Sequence, residues 1–410
     1  MVRLNEAIDL VLDAARPLGA ERVTVLEALG RATAAEVVSA ADVPPFDNSG
    51  MDGFALHAAD LELACREGLP VVAEIPAGTV AAAPLEPGQA VRIMTGAPLP
   101  AGADTVVQVE HVEEPPGRVL VRTAPHPGAN VRRAGEDVRR GSVVVPRGAL
   151  LGPAEIGMLV SVGLEEVEVA RRPRVAILAT GSELVPLGEP LGPGKIHNSN
   201  TFTAWGQTLA AGGEPVVLGI APDDRAETRR LIERALDEDV VITSGGVSVG
   251  DFDFVKQVED ELGVERRFWG VATKPGKPVA FGVREGRRVF GLPGNPVSAM
   301  VAFELYVRPA LLAMQGRRDL WRPWITAAAV EPVAATRDRV EVRRCLLLRD
   351  DDGVWRFTTT GPQGSAILRS MVLADGLVFV PAGHAGGRPG DPYLVMPLDG
   401  SRPERPPLPT

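Results

Sequence analysis

The period of apolar positions changes several times along the chain. Near the N-terminus Ile8, Val11, Leu12 and Ala15 recur at helical spacing behind Asn5 and Glu6, predicting a capped amphipathic helix closed by Pro17 and Gly19. A second short helical stretch is expected over 26–38, ahead of a Pro-containing loop. From about Phe54 to Val145 short β-runs take over (VVAEI, AVRIM, TVVQVEHV, RVLVRT), punctuated by Gly and Pro. A helix returns at 153–161, entered through Pro153 and stopped at Gly163.

Beyond the Arg-Arg-Pro junction at 171–173, apolar strands alternate with amphipathic helices. The strands are RVAILAT (174–180), PVVLGI (215–220) and DVVITSGG (239–246), with helices expected near 201–211 and 225–236 and a closing helix over 295–314 entered through Pro296. Buried, near-continuous apolar strands separated by helices predict a parallel sheet with right-handed crossovers. From Trp321 onward β-runs return (ITAAAV, VEVRRCLLL, WRFTTT, GLVFV, YLVM), followed by a Pro-rich tail. The fold class expected is multidomain α/β plus β. An N-terminal mixed helical and strand domain takes 1–50 and 139–171, a small β-domain 51–138, a central parallel α/β domain 172–320 and a C-terminal β-module 321–410.

Composition sharpens this picture. The chain has 410 residues, 45% of them hydrophobic, enough for more than one core, and its 45 Gly and 37 Pro favour tight turns and compact β-modules. A net charge of −10 argues against a sequence-independent grip on nucleic acid, so no nucleic-acid partner is expected. The N-terminus does not read as a secretory signal, and no apolar run is expected to span a bilayer. Cys65 and Cys345 lie far apart with no metal-ligand pattern around them, which predicts two unpaired thiols and a cytoplasmic location. Of 43 basic residues only Lys195, Lys256, Lys274 and Lys277 are lysine, so a lysine hints at a site that suits a compact ammonium.

Ligands of open α/β sheets bind at the carboxyl ends of the strands. The loops there read TGSEL (180–184), APDD (221–224) and SGGVSVGDFDF (244–254). Ser244, Gly245, Gly246 and Ser248 suit a backbone nest for an anion. Glu183, Asp223, Asp251 and Asp253 should converge on the same edge, where carboxylates beside an anion call for a divalent ion; Glu183 and Asp253 are therefore candidate magnesium ligands. Taken singly, each acid also suits a helix cap or a solvated loop. KPGKP (274–278) is a stiffened loop whose Lys274 and Lys277 suit an anion, and LPGNPVS (292–298) leads into a helix whose free N–H groups suit another. Alone, that second segment reads as a plain strand-to-helix turn capped by Asn295. PPFDNSGMDGFA (44–55), RIMTGAPLP (92–100) and RRAGEDV (132–138) add acids and hydroxyls fit for a second metal- or oxyanion-handling wall. No serine, cysteine or P-loop signature is present, which leaves positioning and electrostatics as the means of catalysis.

In their order along the chain, from PPFDNSGMDGFA to GLPGNPVS, these segments closely resemble the molybdopterin molybdotransferase family, whose eukaryotic members include the C-terminal domain of gephyrin, over essentially the whole chain. The resemblance implies a transferase that joins molybdate to adenylyl-molybdopterin, releases AMP and requires Mg²⁺. It implies a homodimer with an active site shared between subunits, partnered by molybdopterin adenylyltransferase and by downstream molybdoenzymes or their chaperones, with no membrane involved. Active-site roles pass by this resemblance to Asp52, Thr95, Asp137, Glu183, Asp223, Asp253, Lys274 and Lys277, and pocket-shaping roles to Pro293 and Pro296. Asp52 and Asp137 would act from the partner subunit. Phe54 and Phe254 stand where tyrosine is expected, and Asp251 where glutamate is frequent. Two other readings stay open: an adenylyltransferase or nucleotide-processing relative on the same α/β domain, separable by product analysis with ATP and molybdopterin, and a non-catalytic scaffold, separable by the effect of deletion on cofactor synthesis.

Overall fold

RVAILAT forms the strand β1 (Arg174–Thr180), and its alternate side chains feed two different cores. Val175 and Ile177 pack with Val240, Ile242, Phe281 and Phe290 and with the helical segment 296–314, joined by Ala7 and Val11 of the helix Leu4–Ala14. Ala176 and Leu178 pack on the other face with Leu231 and Ile232 of the helix Arg225–Ala235 and Val255 and Val258 of the helix Phe254–Glu261. A strand buried on both faces has no polar side to alternate with, which is why this segment reads as one apolar run. These elements come from a computed structural model that describes residues 1–245 and 254–398. Its contacts divide the chain into two compact units, one of Met1–Glu21, Gly30–Ala34 and the chain from Ala170 onward, the other of Arg22–Leu29 and Ala35–Val169.

In the first unit, β2 (Glu214–Ala221), β3 (Val240–Ser244), β4 (Glu265–Trp269), β5 (Ala280–Arg284) and β6 (Arg287–Leu292) complete a six-stranded sheet in the order β2-β1-β3-β6-β5-β4. The strands β2, β1 and β3 are parallel, in agreement with the sequence reading, and β6 joins them in parallel, whereas β5 runs against both of its neighbours, β6 and β4, so the sheet is mixed. Sequence patterning did not single out β4 to β6. The β5–β6 hairpin turns through Glu285 (φ 46°) and Gly286 (φ 77°), a two-residue turn that lacks the usual Asn-Gly or Asp-Gly signal, and Arg284, Arg287 and Arg288 break the apolar run. The registers pair Thr180 with Ala221, Ala179 with Ser244, and Ser244 with Leu292, so these strands end along one edge.

Three further local expectations need correction. No helix forms over 26–38: Thr24 and Glu27 close a single turn through side-chain and backbone hydrogen bonds of 2.8 and 3.2 Å, Gly30 follows at φ 75°, and the chain then extends as Val37–Val38. At the N-terminus, Arg3 rather than Asn5 holds the cap position, and Glu6 accepts from its N–H at 3.4 Å. The segment Pro296–Met314 is long and apolar enough to cross a membrane by length and composition, with a mean hydropathy of 1.5, although no such run was expected. It is 83% buried, as a core helix is, and it passes through a π-turn at Phe303–Val307 just before Pro309, whose missing N–H cannot continue the α register.

The same unit carries the C-terminal module. Strands Val340–Arg349, Trp355–Thr359, Ile325–Ala329, Pro392–Pro397 and Gly376–Val380 pair in that order, and the last returns to the first, leaving no open edge in the ring. The short strand Thr273–Lys274 pairs in parallel with Val340 and Glu341 of this ring. Arg344 is wholly buried; its guanidinium donates to Ser370 Oγ (2.9 Å) and the Gly364 carbonyl (3.0 Å), while Gln363 brackets its backbone. The loop 360–365 is thereby fixed. Cys345 is buried and unpaired, and burial, with the Asp375 charge adding to it, pushes its thiol up to about 12.

The second unit contains a six-stranded sheet in which Gly53–Leu56 lies between Thr105–Gln108 and Ala90–Ile93. Gly53 approaches its neighbour so closely that a Cβ there would stand 2.0 Å from the Val107 carbonyl oxygen. Gly53→Ala should therefore force the edge strand Thr105–Gln108 away from its neighbour and destabilise this unit by the ~1–3 kcal/mol typical of overpacking or more, read as a lower urea midpoint; an unchanged midpoint would show that the strands yield freely.

Candidate functional site

At the carboxyl edge of the α/β sheet the strand ends come into direct contact. Gly245, at φ 94°, faces Thr180 so closely that a Cβ would lie 2.5 Å from its carbonyl oxygen and 2.8 Å from its hydroxyl. Its N–H donates to the Leu292 carbonyl at 3.1 Å and so is not free for the anion nest expected of it, and a Cβ at Gly294 would lie 3.9 Å from its Cα. Asn200, in the first turn of the helix Ser199–Ala210, donates to Ser244 Oγ and to the Gly294 carbonyl, each at 2.8 Å. The exposed Glu183 carboxylate folds over Gly181, where a Cβ would meet it at 2.6 Å. Asp223 is exposed two residues beyond the end of β2, on the same edge. Neither Glu183 nor Asp223 has a side-chain hydrogen bond or ion pair among the described residues.

A run of contacts joins this edge to the lysine loop. Pro293 is buried and Pro296 partly buried; Asn295 occupies the cap position of the helix Pro296–Ala302 without a side-chain cap bond, and the Val297 N–H is taken by the Ser365 carbonyl at 3.1 Å. One of the helix N–H groups that the sequence offered to an anion is therefore used by the loop that Arg344 fixes. A Cβ added to Gly276 of KPGKP would lie 4.0 Å from the Ser298 carbonyl oxygen, and the Lys274–Pro275 peptide is cis. Lys274 Nζ pairs with Glu341 Oε1 at 3.0 Å, and Glu341 also accepts two bonds from Arg343, at 2.7 and 3.0 Å. Burial opposes ionisation of Glu341, but these partners hold its pKa below the ordinary value. Lys277 is exposed and its ammonium has no partner among the described residues. Beside Lys274 lies a cavity of about 320 Å³ lined also by Arg337, Asp338, Arg339 and Glu341. Sequence reasoning missed these C-terminal residues, because a strand end 60 or more residues away from the lysines carries no local signal of its pairing with Thr273–Lys274.

In the second unit the three loops expected to form a wall are tied together. Asp52 Oδ1 accepts from the Thr95 N–H at 2.7 Å and the Thr95 hydroxyl at 2.9 Å. Asp47 accepts from Arg133 Nη1 (2.6 Å) and the Ala134 N–H (2.8 Å), and Asn48–Ser49 pairs with Val131–Arg132. Asp137 is exposed and its carboxylate has no partner among the described residues. Phe54 is buried, with the Arg92 guanidinium 5.4 Å from its ring centroid, so it serves as core where a tyrosine hydroxyl was the expectation.

Gly246, Ser248, Asp251 and Asp253 lie outside the described residues. Among those described, no three His, Cys, Asp or Glu side chains cluster as a metal site. Glu183 and Asp223 nevertheless offer carboxylates with uncommitted lone pairs, and that set fits Mg²⁺, which takes one or two carboxylates and completes its shell with phosphate oxygens and water.

A helix-flanked sheet with a glycine-lined carboxyl edge, fused to a lysine-bearing loop and a β-ring, is an α/β architecture of the class that takes small ligands at its strand ends. Residues 2–163 match the family model described as the MoeA N-terminal region (domain I and II), 176–313 that of a "probable molybdopterin binding domain", and 326–398 that of the MoeA C-terminal region (domain IV). The chain is 36% identical over 404 residues to a molybdopterin molybdenumtransferase of Haemophilus influenzae, covering 97% of this chain and 99% of the relative. It is 38% identical over 382 residues to molybdopterin molybdenumtransferase 2 of Mycobacterium tuberculosis, covering 90% and 92%. The crystal structure of the molybdopterin biosynthesis moeA protein from Pyrococcus horikoshii OT3 superposes with a TM-score of 0.83 at 31% identity, covering 97% of this chain and all of that one. The chain belongs to the MoeA/molybdopterin molybdenumtransferase family of molybdenum cofactor biosynthesis. With membership comes the general activity, transfer of molybdenum to molybdopterin.

The Asp52–Thr95 bond gives a direct test. The Thr95 N–H, then its hydroxyl, with the nearby Arg92 charge adding a little, hold the Asp52 pKa below the usual carboxylate value. A depressed folded-state pKa stabilises the fold above the unfolded value and loses that contribution as pH falls through the folded one. In an NMR titration Asp52 should therefore titrate below an ordinary aspartate, and Thr95→Val should move its midpoint upward; an unmoved midpoint would remove the hydroxyl from this contact.

Proposed function

We propose that the chain joins molybdate to the dithiolene of adenylyl-molybdopterin, with Mg²⁺-dependent release of AMP. The observation that carries this reading is the order of groups along one contiguous edge: uncommitted acids, then strand ends stripped to backbone and hydroxyl, then a loop carrying two lysines. Such an edge suits an elongated ligand whose diphosphate lies between a cation held by acids and ammonium groups. Glu183 and Asp253, with Asp223 close by, would hold the magnesium, which when bound neutralises diphosphate charge and so improves AMP as a leaving group. Lys274, Lys277 and the arginines lining the neighbouring cavity hold oxyanions, molybdate among them. Pro293 and Pro296 fix the backbone around the ligand.

In this reading the chain works as a cytoplasmic homodimer, and the Asp52–Thr95 pair and Asp137 of one subunit complete the site of the other. The free thiols are in keeping with a reducing compartment. Molybdopterin adenylyltransferase would supply the substrate, and molybdoenzymes or their chaperones would take the product.

Incubation with adenylyl-molybdopterin, molybdate and magnesium should release AMP, and no AMP under those conditions would overturn the reaction. Lys277→Ala should bind adenylyl-molybdopterin more weakly at low ionic strength, the difference from wild type shrinking as salt is added; equal binding at low salt would deny the lysine its anion. Mixing inactive Asp52→Asn and Lys277→Ala chains should restore roughly a quarter of wild-type turnover, since half of the dimers then carry one intact site. No recovery after verified subunit exchange would place both residues in one subunit's site.

A further inference from the structure

Asn200 is absent from the roles assigned so far, and it is held in an unusual hydrogen-bonding state. Its amide nitrogen donates to Ser244 Oγ at the end of β3 and to the Gly294 carbonyl just past β6. The Gly294 carbonyl fixes the orientation of the amide, because the flipped rotamer would set oxygen against oxygen. Oδ1 is therefore directed away from both contacts; it is buried and meets no donor among the described residues, although Asn200 as a residue keeps partial exposure. A buried acceptor without a donor is costly to the fold unless something bound supplies the donor. The same contact sets the hydroxyl next to it. Ser244 Oγ accepts from Asn200, so its hydrogen must point elsewhere, and it has no acceptor among the described residues. An unmet acceptor and an unmet donor thus stand side by side on the carboxyl edge.

We propose that Asn200 and Ser244 together read the hydrogen-bonding edge of a heterocycle in the substrate, a ring N–H or amine next to a ring nitrogen or carbonyl. The inference rests on the substrate reading above. Diphosphate and molybdate oxygens accept hydrogen bonds and do not donate them at neutral pH, so they can satisfy Ser244 but never Asn200 Oδ1. The pair therefore marks a ring-binding position distinct in chemistry from the lysine loop. Two rings in adenylyl-molybdopterin present such an edge, adenine and the pterin. Asn200 has a second role as a positioning residue, since it ties two strand ends and aims the Ser244 hydroxyl.

Calorimetric titration of the full chain with AMP, 6-hydroxymethylpterin and pyrophosphate tests the proposal. Asn200→Ala should weaken binding of one ring compound about tenfold or more, the weight of a hydrogen bond in a site closed to water, and leave pyrophosphate affinity unchanged. Loss confined to AMP assigns the pair to adenine, and loss confined to the pterin assigns it to the pterin. Equal weakening of all three probes would reduce Asn200 to a tie between strands and overturn the proposal, as would unchanged binding of both rings. Ser244→Ala keeps the Asn200–Gly294 bond and so provides a second variant if the first does not fold; it should weaken the same ring, and wild-type affinity for both rings would overturn the pairing. A wild-type protein that binds neither AMP nor the pterin would instead bring down the substrate reading itself.

Discussion

The carboxyl edge exists because the ends of β1 and β3 approach more closely than a Cβ would allow, at Gly245 against the Thr180 carbonyl. The N–H that Gly245 presents to Leu292 ties the end of β6 to them. Any side chain at Gly245 would meet backbone on one side and a left-handed φ on the other. With the strand ends drawn together, Asn200 can reach two of them with one amide group, and Glu183 can lie across Gly181. The polar groups of the site are thus placed by backbone proximity, and the side chains inherit their positions from it. Burial of β1 on both faces holds that proximity in place, since Val175, Ile177, Ala176 and Leu178 leave the strand no freedom to shift its register.

The N-terminal unit uses acids for a related purpose. Asp42, Asp47 and Asp52 each accept a backbone N–H from a different loop position, at Arg140, Ala134 and Thr95. The richness in aspartate that looks like metal chemistry in the sequence is therefore largely the means by which three loops are held in one surface. Asp137 differs: its backbone N–H bonds Val43, while its carboxylate remains uncommitted among the described residues. Of the four acids it is the one whose place cannot be explained by loop fastening.

The strands β1 to β3, the strands of the β-ring and most helices were legible from apolar period, because burial on one or both faces writes itself directly into a run of residues. The antiparallel strands β4 and β5 were not, since Arg266, Arg267 and Arg284 give them a polar face and Glu285 occupies a turn position usually filled by Asn or Gly. The false helix at 26–38 had adequate helix formers but only a one-turn closure, which local propensity cannot foresee. For the site, Glu183, Ser244, Gly245 and the lysines stood in glycine- and proline-rich punctuation that marks unusual backbone. Asn200, Glu341 and Arg344 stood in ordinary helix and strand contexts; their importance comes from partners 44 and 94 residues off for Asn200, 67 off for Glu341 and 26 off for Arg344, and such pairings leave no trace in local pattern.

The pairing of Lys274 with Glu341 at first competes with an anion-binding role, yet the surrounding charges resolve the conflict. Glu341 is also bonded through two nitrogens of Arg343, so its charge stays compensated when Lys274 leaves. The lysine side chain is 59% exposed, and an ion pair of that kind contributes only about 0–1 kcal/mol. Transfer of the ammonium from Glu341 to an incoming oxyanion therefore costs little, whereas removing Arg343 would leave Glu341 holding the lysine as its remaining partner. The arginine in effect releases the lysine. Because the strand that carries both Glu341 and Arg343 pairs with Thr273–Lys274, the β-ring sets how firmly the loop's first lysine is held before a ligand arrives.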